Sequence, residues 1–274
     1  MPEGPEIKQA ADRIAKAIVD QPISQIFFAF EHLKPYEQTL ATERVISVRP
    51  RGKALLTRFS NQLSIYSHNQ LYGVWHIRAA HTYPHTNRQL RLAIHTPKKS
   101  ALLYSASDIM VLDDAEVAAH PFLHKLGLDV LDDTVTVAQV YDRLTDQRFQ
   151  RRSFPTLLLD QHFLCGIGNY LRSEILFFAH VYPTKRPVDC SPAQLEQLAI
   201  GAITLSRQSY ETKGITNDLA IALALKQSGQ ARRSYRHYVF GRSGQPCYRC
   251  GAAIIKDVAG GRRVYYCPIC QPAD

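Results

Sequence analysis

The chain has 274 residues, 45% of them hydrophobic and 21% charged, with a formal net charge of +9 and an isoelectric point near 9.3. That length accommodates two domains and a sizeable core, and the composition lacks the bias of a disordered polymer. No apolar run approaches the ~20 residues of a membrane span and the N-terminus lacks a signal-peptide core, so a soluble, cytoplasmic protein is predicted. Pro5 suits the first position of a helix, and Ile7, Ala10, Ala11, Ile14 and Ile18 recur at helical spacing behind it. Short runs rich in β-branched and aromatic residues follow, at Ile23–Phe30, Val45–Arg49, Ala54–Phe59, Leu63–Ser67, Leu90–His95 and Ala101–Tyr104. Polar or Gly/Pro breaks separate them, which predicts an antiparallel sandwich or barrel-like sheet over roughly residues 20–110. From Asp113 to about Tyr210 the pattern turns helical, notably at Val135–Leu144, Phe154–Phe163, Asn169–Ala179 and Pro192–Gln208. Asp146–Arg152 reads equally as a helix start or a loop. Leu219–Lys226 can form a short helix inside the loop-like stretch Gly214–Gln230, to which the pattern gives no role.

The positive charge is concentrated at the C-terminal end. Residues 226–274 hold nine Lys and Arg (Lys226, Arg232, Arg233, Arg236, Arg242, Arg249, Lys256, Arg262 and Arg263) against Asp257 and Asp274. A cluster of that kind suits a polyanion, and nucleic acid fits better than an acidic membrane because no amphipathic anchor accompanies it. Within the same stretch Cys247, Cys250, Cys267 and Cys270 are spaced C-x2-C-x16-C-x2-C. Four thiolates on two short knuckles can close a tetrahedron around Zn2+, and such a site is structural because it leaves no open position for water or substrate. The competing reading, two disulfides, requires an oxidising compartment that nothing in the sequence supports. Cys165 and Cys190 read as ordinary buried or half-buried thiols.

The opening Met1-Pro2-Glu3-Gly4-Pro5-Glu6 carries a second kind of chemistry. Removal of Met1 would leave Pro2 as a free secondary amine with a carboxylate beside it. With a reference pKa near 8, roughly a fifth of such an amine is neutral at pH 7.4, against about a thousandth of a lysine. Attack on an aldehyde-like carbon gives a cationic iminium, an electron sink for elimination. The plainer alternative is that Pro2 only permits processing and Pro5 only opens a helix. Glu3 and Glu6, three apart, can share one side of that helix start, where the dipole favours carboxylates. Glu6 can equally serve the helix terminus alone.

Three further places combine chemistry with a turn. Arg51-Gly52-Lys53 lies between two strand runs, where a lone Lys53 is by default a solvated charge. Gly166-Ile167-Gly168-Asn169-Tyr170 is a glycine-rich turn feeding a helix, a ready phosphate site. Asn169 there can cap the helix or contact the phosphate. Gln70-Leu71-Tyr72 follows a strand and offers an amide, an apolar wedge and a ring, suited to filling a gap in a base stack.

Taken together, the N-terminal hexapeptide, Arg51-Gly52-Lys53, Gly168-Asn169-Tyr170 and the four-cysteine finger resemble the formamidopyrimidine-DNA glycosylase and endonuclease VIII family, nearly end to end. Ser67–Trp75, Leu103–Asp108 and His120-Pro121-Phe122-Leu123 resemble its bacterial endonuclease VIII branch. The resemblance implies an α+β multidomain protein. Residues 1–125 would form an antiparallel β-sandwich with an N-terminal helix, 126–235 a helical helix-two-turn-helix domain, and 236–274 a zinc-finger β-hairpin.

It also implies roles. Pro2 would displace the damaged base at C1′ and hold the sugar as an iminium, Glu3 would be the acid/base partner and Glu6 a support. Lys53 would contact phosphate near the lesion and assist proton transfer. Arg262, in Gly261-Arg262-Arg263-Val264, would grip the flanking phosphates, ahead of its neighbour Arg263. Gln70, Leu71 and Tyr72 would fill the space left by the extruded nucleotide, and Asn169 would bind backbone phosphate. Lys125 stands where the branch often has arginine, keeping the charge without the bidentate geometry. Gly214–Gln230 is longer than that branch would have it. The implied activity is a bifunctional DNA glycosylase and AP lyase on oxidised pyrimidines. It would act on damaged double-stranded DNA as a monomer with one structural Zn2+, without a membrane partner. The alternatives are an oxidised-purine glycosylase and a non-catalytic zinc-finger DNA-binding protein.

Overall fold

The computed structural model describes residues 2–273, and these divide into two compact units, one ending at Lys125 and the other starting at Leu126. The first unit opens with helix α1 (Gly4–Ile18), whose buried face carries Ile7, Ala10, Ala11, Ile14, Ala17 and Ile18. Then come β1 (Gln25–Phe28), α2 (Tyr36–Ala41), β2 (Val45–Arg51), β3 (Ala54–Phe59), β4 (Ser64–His68) and β5 (Val74–Ala79). The unit continues with β6 (Leu90–His95), β7 (Lys99–Tyr104), β8 (Asp108–Leu112) and α3 (Asp114–Ala119). The strands make two four-stranded antiparallel sheets, in orders β1-β6-β7-β5 and β2-β3-β4-β8. Inward residues of both sheets, among them Phe28, Ile94 and Leu103 from one and Leu55, Phe59 and Ile65 from the other, share a core with Ile7, Ile14 and Ile18. Each such side chain contributes about 1.5–3 kcal/mol by leaving water. The expected sandwich is therefore present, closed by α1 against strands of both sheets. Two of its strands, β5 and β8, are absent from the sequence reading.

The second unit contains β9 (Leu128–Asp129), α4 (Val137–Thr145), α5 (Phe154–Leu157), β10 (Leu164–Cys165) and α6 (Asn169–Phe178). It continues with α7 (Pro192–Glu211), α8 (Leu219–Gln227), α9 (Arg232–Tyr235) and the hairpin β11 (Ile255–Ala259) and β12 (Arg262–Tyr266). The helix expected over Phe154–Phe163 is corrected: it stops at Leu157, because the chain must turn to pair Leu164-Cys165 with Leu128-Asp129. Asp146–Arg152 is a turn, and Gly214–Gln230 does contain a helix, α8, capped by the Asp218 carboxylate. Phe177 of α6 and Val239 pack with Cys247, Ile254, Tyr265 and Cys267, so the hairpin module shares a core with the helices beneath it. Among the described residues no helix is long and apolar enough to cross a membrane.

Candidate active site and nucleic-acid interface

The start of α1 presents the N-terminal candidates. Glu3 is extended, immediately ahead of the helix, and its N–H donates to the Glu6 carboxylate at 3.0 Å. Pro5, which has no N–H to satisfy, costs nothing in the first turn. Glu3 and Glu6 thus form a reciprocal capping box at the helix terminus, the Glu3 side chain facing the Glu6 N–H. The Glu3 residue is only 3% exposed and Pro2 is half-buried. Once Met1 is removed, the freed Pro2 nitrogen would have this buried carboxylate on the next residue, a pairing suited to proton transfer. Met1, on whose removal the nucleophile depends, lies outside the described residues.

Lys53 departs from its default reading as a solvated charge. With Gly52 (φ 60°) it forms the two-residue turn between β2 and β3, and it is 6% exposed. Its charge is felt at His68, the last residue of β4, which pairs with Ala54 on β3 and Asp108 on β8. Burial pushes the His68 imidazole pKa down, Asp108 opposes that shift and Lys53 adds to it. The neutral ring keeps a lone pair on Nδ1, which accepts the Gln70 N–H at 3.1 Å.

That bond is one of four that shape the loop carrying Gln70, Leu71 and Tyr72. The Gly73 N–H donates to Asn69 O at 2.7 Å, the Ser107 hydroxyl donates to Gln70 Oε1 at 2.9 Å, and Arg88 donates to the Tyr72 carbonyl. Gln70 sits in the left-handed region at φ 49°. A Cβ at Gly73 would stand 2.6 Å from Asn69 O, so only glycine fits that turn. The side chains of Leu71 and Tyr72, 62% and 69% exposed, thus protrude from a loop that is already ordered. Lys125 ends a 3-10 turn (Leu123–Lys125) and is exposed.

In the second unit Gly166 (φ 90°) and Gly168 lead into α6. Gly168 takes the cap position and Asn169 is the first helical residue, so the cap reading of Asn169 is corrected. Its Oδ1 accepts from Arg172 Nη2 at 2.8 Å, leaving the amide NH2 as the end able to donate to an anion. Arg172 is fully buried and also donates to the carbonyls of Pro155, Ala259 and Arg263 at 2.8, 3.2 and 2.9 Å. One guanidinium thereby fixes the β11–β12 hairpin against the start of α6. Gly260 and Gly261, both at positive φ, make the hairpin turn, and Arg262 and Arg263 follow it with exposed side chains. Two residues away on α6, the buried Glu174 carboxylate accepts from the N–H groups of Tyr238, Val239 and Phe240 and from the Thr216 hydroxyl. Burial raises its pKa while those four donors pull it down. Sequence reasoning missed Arg172 and Glu174. The available signal was a pair of charges flanking Ser173 on a stretch otherwise apolar all round, from Tyr170 to Phe178.

The four finger cysteines bring their sulfurs within 4.8 Å of one another, with Cys247–Cys270 at 3.9 Å and Cys250–Cys267 at 3.4 Å. A tetrahedron with Zn–S bonds of about 2.3 Å has S···S edges of roughly 3.8 Å, so the set fits Zn2+. The N–H groups of Arg249 and Cys270 lie 3.4 Å from Cys247 Sγ and Cys267 Sγ, as thiolates favour.

Comparison with known proteins agrees with this geometry. Family models match in three places: the formamidopyrimidine-DNA glycosylase N-terminal domain over residues 1–107, its H2TH domain over 126–219, and the zinc finger found in FPG and IleRS over 244–273. The chain is 46% identical over 271 residues to Endonuclease 8 of Klebsiella pneumoniae subsp. pneumoniae and to that of Escherichia coli (strain K12 / DH10B). Each match covers 99% of this chain and 100% of the relative. Among solved structures, the Lactococcus lactis formamidopyrimidine-DNA glycosylase bound to DNA with an AP site superposes with a TM-score of 0.79 at 21% identity, over 98% of this chain and 99% of that one. The same enzyme with DNA containing an oxidised pyrimidine gives 0.81 at 20%, over 99% and 100%. At that identity the structural likeness speaks for the fold, while the full-length sequence identity speaks for descent. The chain belongs to the formamidopyrimidine-DNA glycosylase and endonuclease 8 family.

Proposed function

We propose that this protein excises oxidised pyrimidines from double-stranded DNA and then cuts the strand, acting as a glycosylase and AP lyase. The observation that carries the reading is the burial of the Glu3 carboxylate, one residue after Pro2 and within the capping box that it forms with Glu6 at the head of α1. A base inside a duplex is out of reach, so the nucleotide must be extruded at a cost of a few kcal/mol. The pre-ordered Gln70-Leu71-Tyr72 loop fills the gap that remains. Pro2 attacks C1′, the glycosidic bond breaks with the departing base taking a proton, and the opened sugar stays on the nitrogen as an iminium. That cation acidifies C2′–H, Glu3 receives and returns protons, and the C3′–O bond breaks. A second elimination breaks C5′–O, leaving a one-nucleotide gap with phosphate at both ends.

The remaining residues bind and orient. Lys53, Lys125, Asn169 and Arg262 hold phosphates of the bent strand, Lys53 at a site the fold has taken out of bulk water. Zn2+ on the four cysteines supplies structure to the hairpin that carries Arg262. We assign residues 1–125 to catalysis and wedging, 126–235 to the helical clamp and 236–274 to the finger. The protein works as a monomer in the bacterial cytoplasm, with DNA and no membrane as partner.

Duplexes carrying thymine glycol or 8-oxoguanine test the reading. Excision of thymine glycol is expected to be at least tenfold faster, with a borohydride-stable adduct on abasic DNA. The opposite order would move the protein to the oxidised-purine branch, and no adduct would make it a binding protein only. A narrower test concerns the wedge. Gly73→Ala forces a Cβ against Asn69 O, and relieving roughly 2 kcal/mol of strain by opening the turn slows duplex excision about thirtyfold. Cutting of a preformed abasic site in single-stranded DNA, which needs no wedge, should stay near the wild-type rate.

A further inference from the structure

Three arginines from three different elements converge on one histidine in the first unit. His76 and Arg78 share a face of β5, an edge strand of its sheet, and pair with Leu102 and Ser100 of β7. The His76 ring meets the Tyr104 ring edge-on at 5.6 Å. Helix α1 packs against the same strand and carries Arg13, while Arg88 stands on the connection from β5 to β6. Burial lowers the His76 imidazole pKa, and the charges of Arg78, Arg88 and Arg13 lower it further, with no carboxylate opposing them.

All three arginines are exposed, and among the described residues none is in an ion pair with Asp or Glu. Arg13 Nε donates to Gln9 O and Arg78 Nη1 to Ile77 O, both at 3.2 Å and both within their own element. The rest of each guanidinium fork faces outward. Arg88 donates to the Tyr72 carbonyl and so ties the cluster to the wedge. From Arg44 to Ser107 the chain has no Asp or Glu at all, so the strands around the cluster supply nothing to neutralise it. Solvated arginines on a surface spread apart; converging ones repel, and the arrangement is favourable only when an anion joins it.

We infer that Arg13, His76, Arg78 and Arg88 form a rim that binds backbone phosphates of the undamaged strand, and that this rim makes the enzyme prefer duplex to single-stranded substrate. The inference rests on the wedge reading above, because a wedge standing in the base stack has one strand on each flank. The Gln70 flank leads back to His68, where the charge of Lys53 is felt, and Lys53 is assigned to the damaged strand. The Tyr72 flank leads through Val74 to His76 and Arg78, and Arg88 joins it at Tyr72. The groups on this second flank therefore meet the other strand. A phosphate offers only acceptors, every member of the rim can donate, and a guanidinium fork takes two phosphate oxygens at once. Such contacts position the duplex without reading its sequence.

The test measures affinity against salt for a duplex carrying a tetrahydrofuran abasic analogue and for its damaged strand alone. Combining Arg13→Gln with Arg78→Gln is expected to shrink the duplex slope of log affinity against log salt by nearly two and to leave the single-strand slope unchanged. A second arm needs no variant. Uncharged methylphosphonates in the undamaged strand, around the position opposite the lesion, should weaken wild-type binding and cost the double variant nothing further. Equal slope losses on both substrates would give these arginines to the damaged strand and overturn the inference. So would an unchanged duplex slope, or wild-type binding indifferent to the methylphosphonates. Tyr72→Ala separates the two readings: duplex excision at the wild-type rate would remove the wedge itself. Slowed excision there, with equal slope losses on both substrates in the double arginine variant, would remove only the rim.

Discussion

A preparation in which Pro2 is acylated, by retained Met1 or by one added residue, is expected to bind abasic duplex and leave it uncut. Acylation turns the secondary amine into an amide, whose lone pair is delocalised into the carbonyl and cannot attack C1′ or form an iminium. The rest of the N-terminal arrangement survives. Glu3 still precedes α1, and its N–H still finds Glu6. Affinity should therefore change little while single-turnover cutting falls by at least three orders of magnitude, about 4 kcal/mol of transition-state stabilisation. Pro2→Gly forms a useful intermediate case. It keeps a free amine of similar basicity but gives a primary imine that can lose its proton, so borohydride trapping should persist at reduced rate. Mass spectrometry of the N-terminus must accompany both measurements. Full-speed cutting by protein shown to begin with methionine would refute the assignment of Pro2.

The parts of this molecule that could be read from the chain are those whose cause is local. Ala54–Phe59 and Leu90–His95 are short apolar-rich runs set between flanking breaks and are strands over those residues. α1 follows from Pro5 and a 3.6-residue repeat. β5 was obscured because Val74-Trp75 continues directly from the wedge motif, although Trp75 and Ile77 do alternate with His76 and Arg78. β8 begins at an aspartate and runs into the cap of α3, so its five residues show little contrast with their surroundings. The short strands β9 and β10 exist only because they pair with each other across more than thirty residues, and no local pattern encodes that. Gly127 belongs to the same class, since a Cβ there would stand 2.3 Å from Phe163 O.

The site divides in the same way. Pro2, Glu3, the wedge and the cysteines are contiguous or regularly spaced, and so are visible as motifs. The burial of Lys53 and the acceptor set around Arg172 are products of tertiary packing. A residue can be named as a phosphate ligand from sequence. The group that holds it in place is usually distant in the chain, and here it is a second arginine that a solvent-facing default would have put on the surface.

Replacing that arginine should have the largest effect on the second unit. Arg172→Leu removes the donors that satisfy the carbonyls of Pro155, Ala259 and Arg263 and the Asn169 amide oxygen, all around a side chain with no exposure to water. Breaking a buried charged network from one side typically costs about 3–5 kcal/mol, because the abandoned groups stay desolvated. Arg172→Lys should rescue little, since one ammonium cannot span acceptors that a planar fork reaches in three directions. The denaturation midpoint should therefore fall in both variants. DNA binding should report a second, separate consequence. Without Arg172 the Asn169 amide is free to rotate and the β11–β12 hairpin loses its anchor to α6, so two phosphate contacts loosen together. The slope of log affinity against log salt should then shrink by nearly two contacts, against about one for Arg262→Ala alone. A merely destabilised protein, measured well below its midpoint, would keep the wild-type slope. Wild-type stability and slope in Arg172→Leu would show that the hairpin is held by its apolar contacts with Phe177 and Val239 instead.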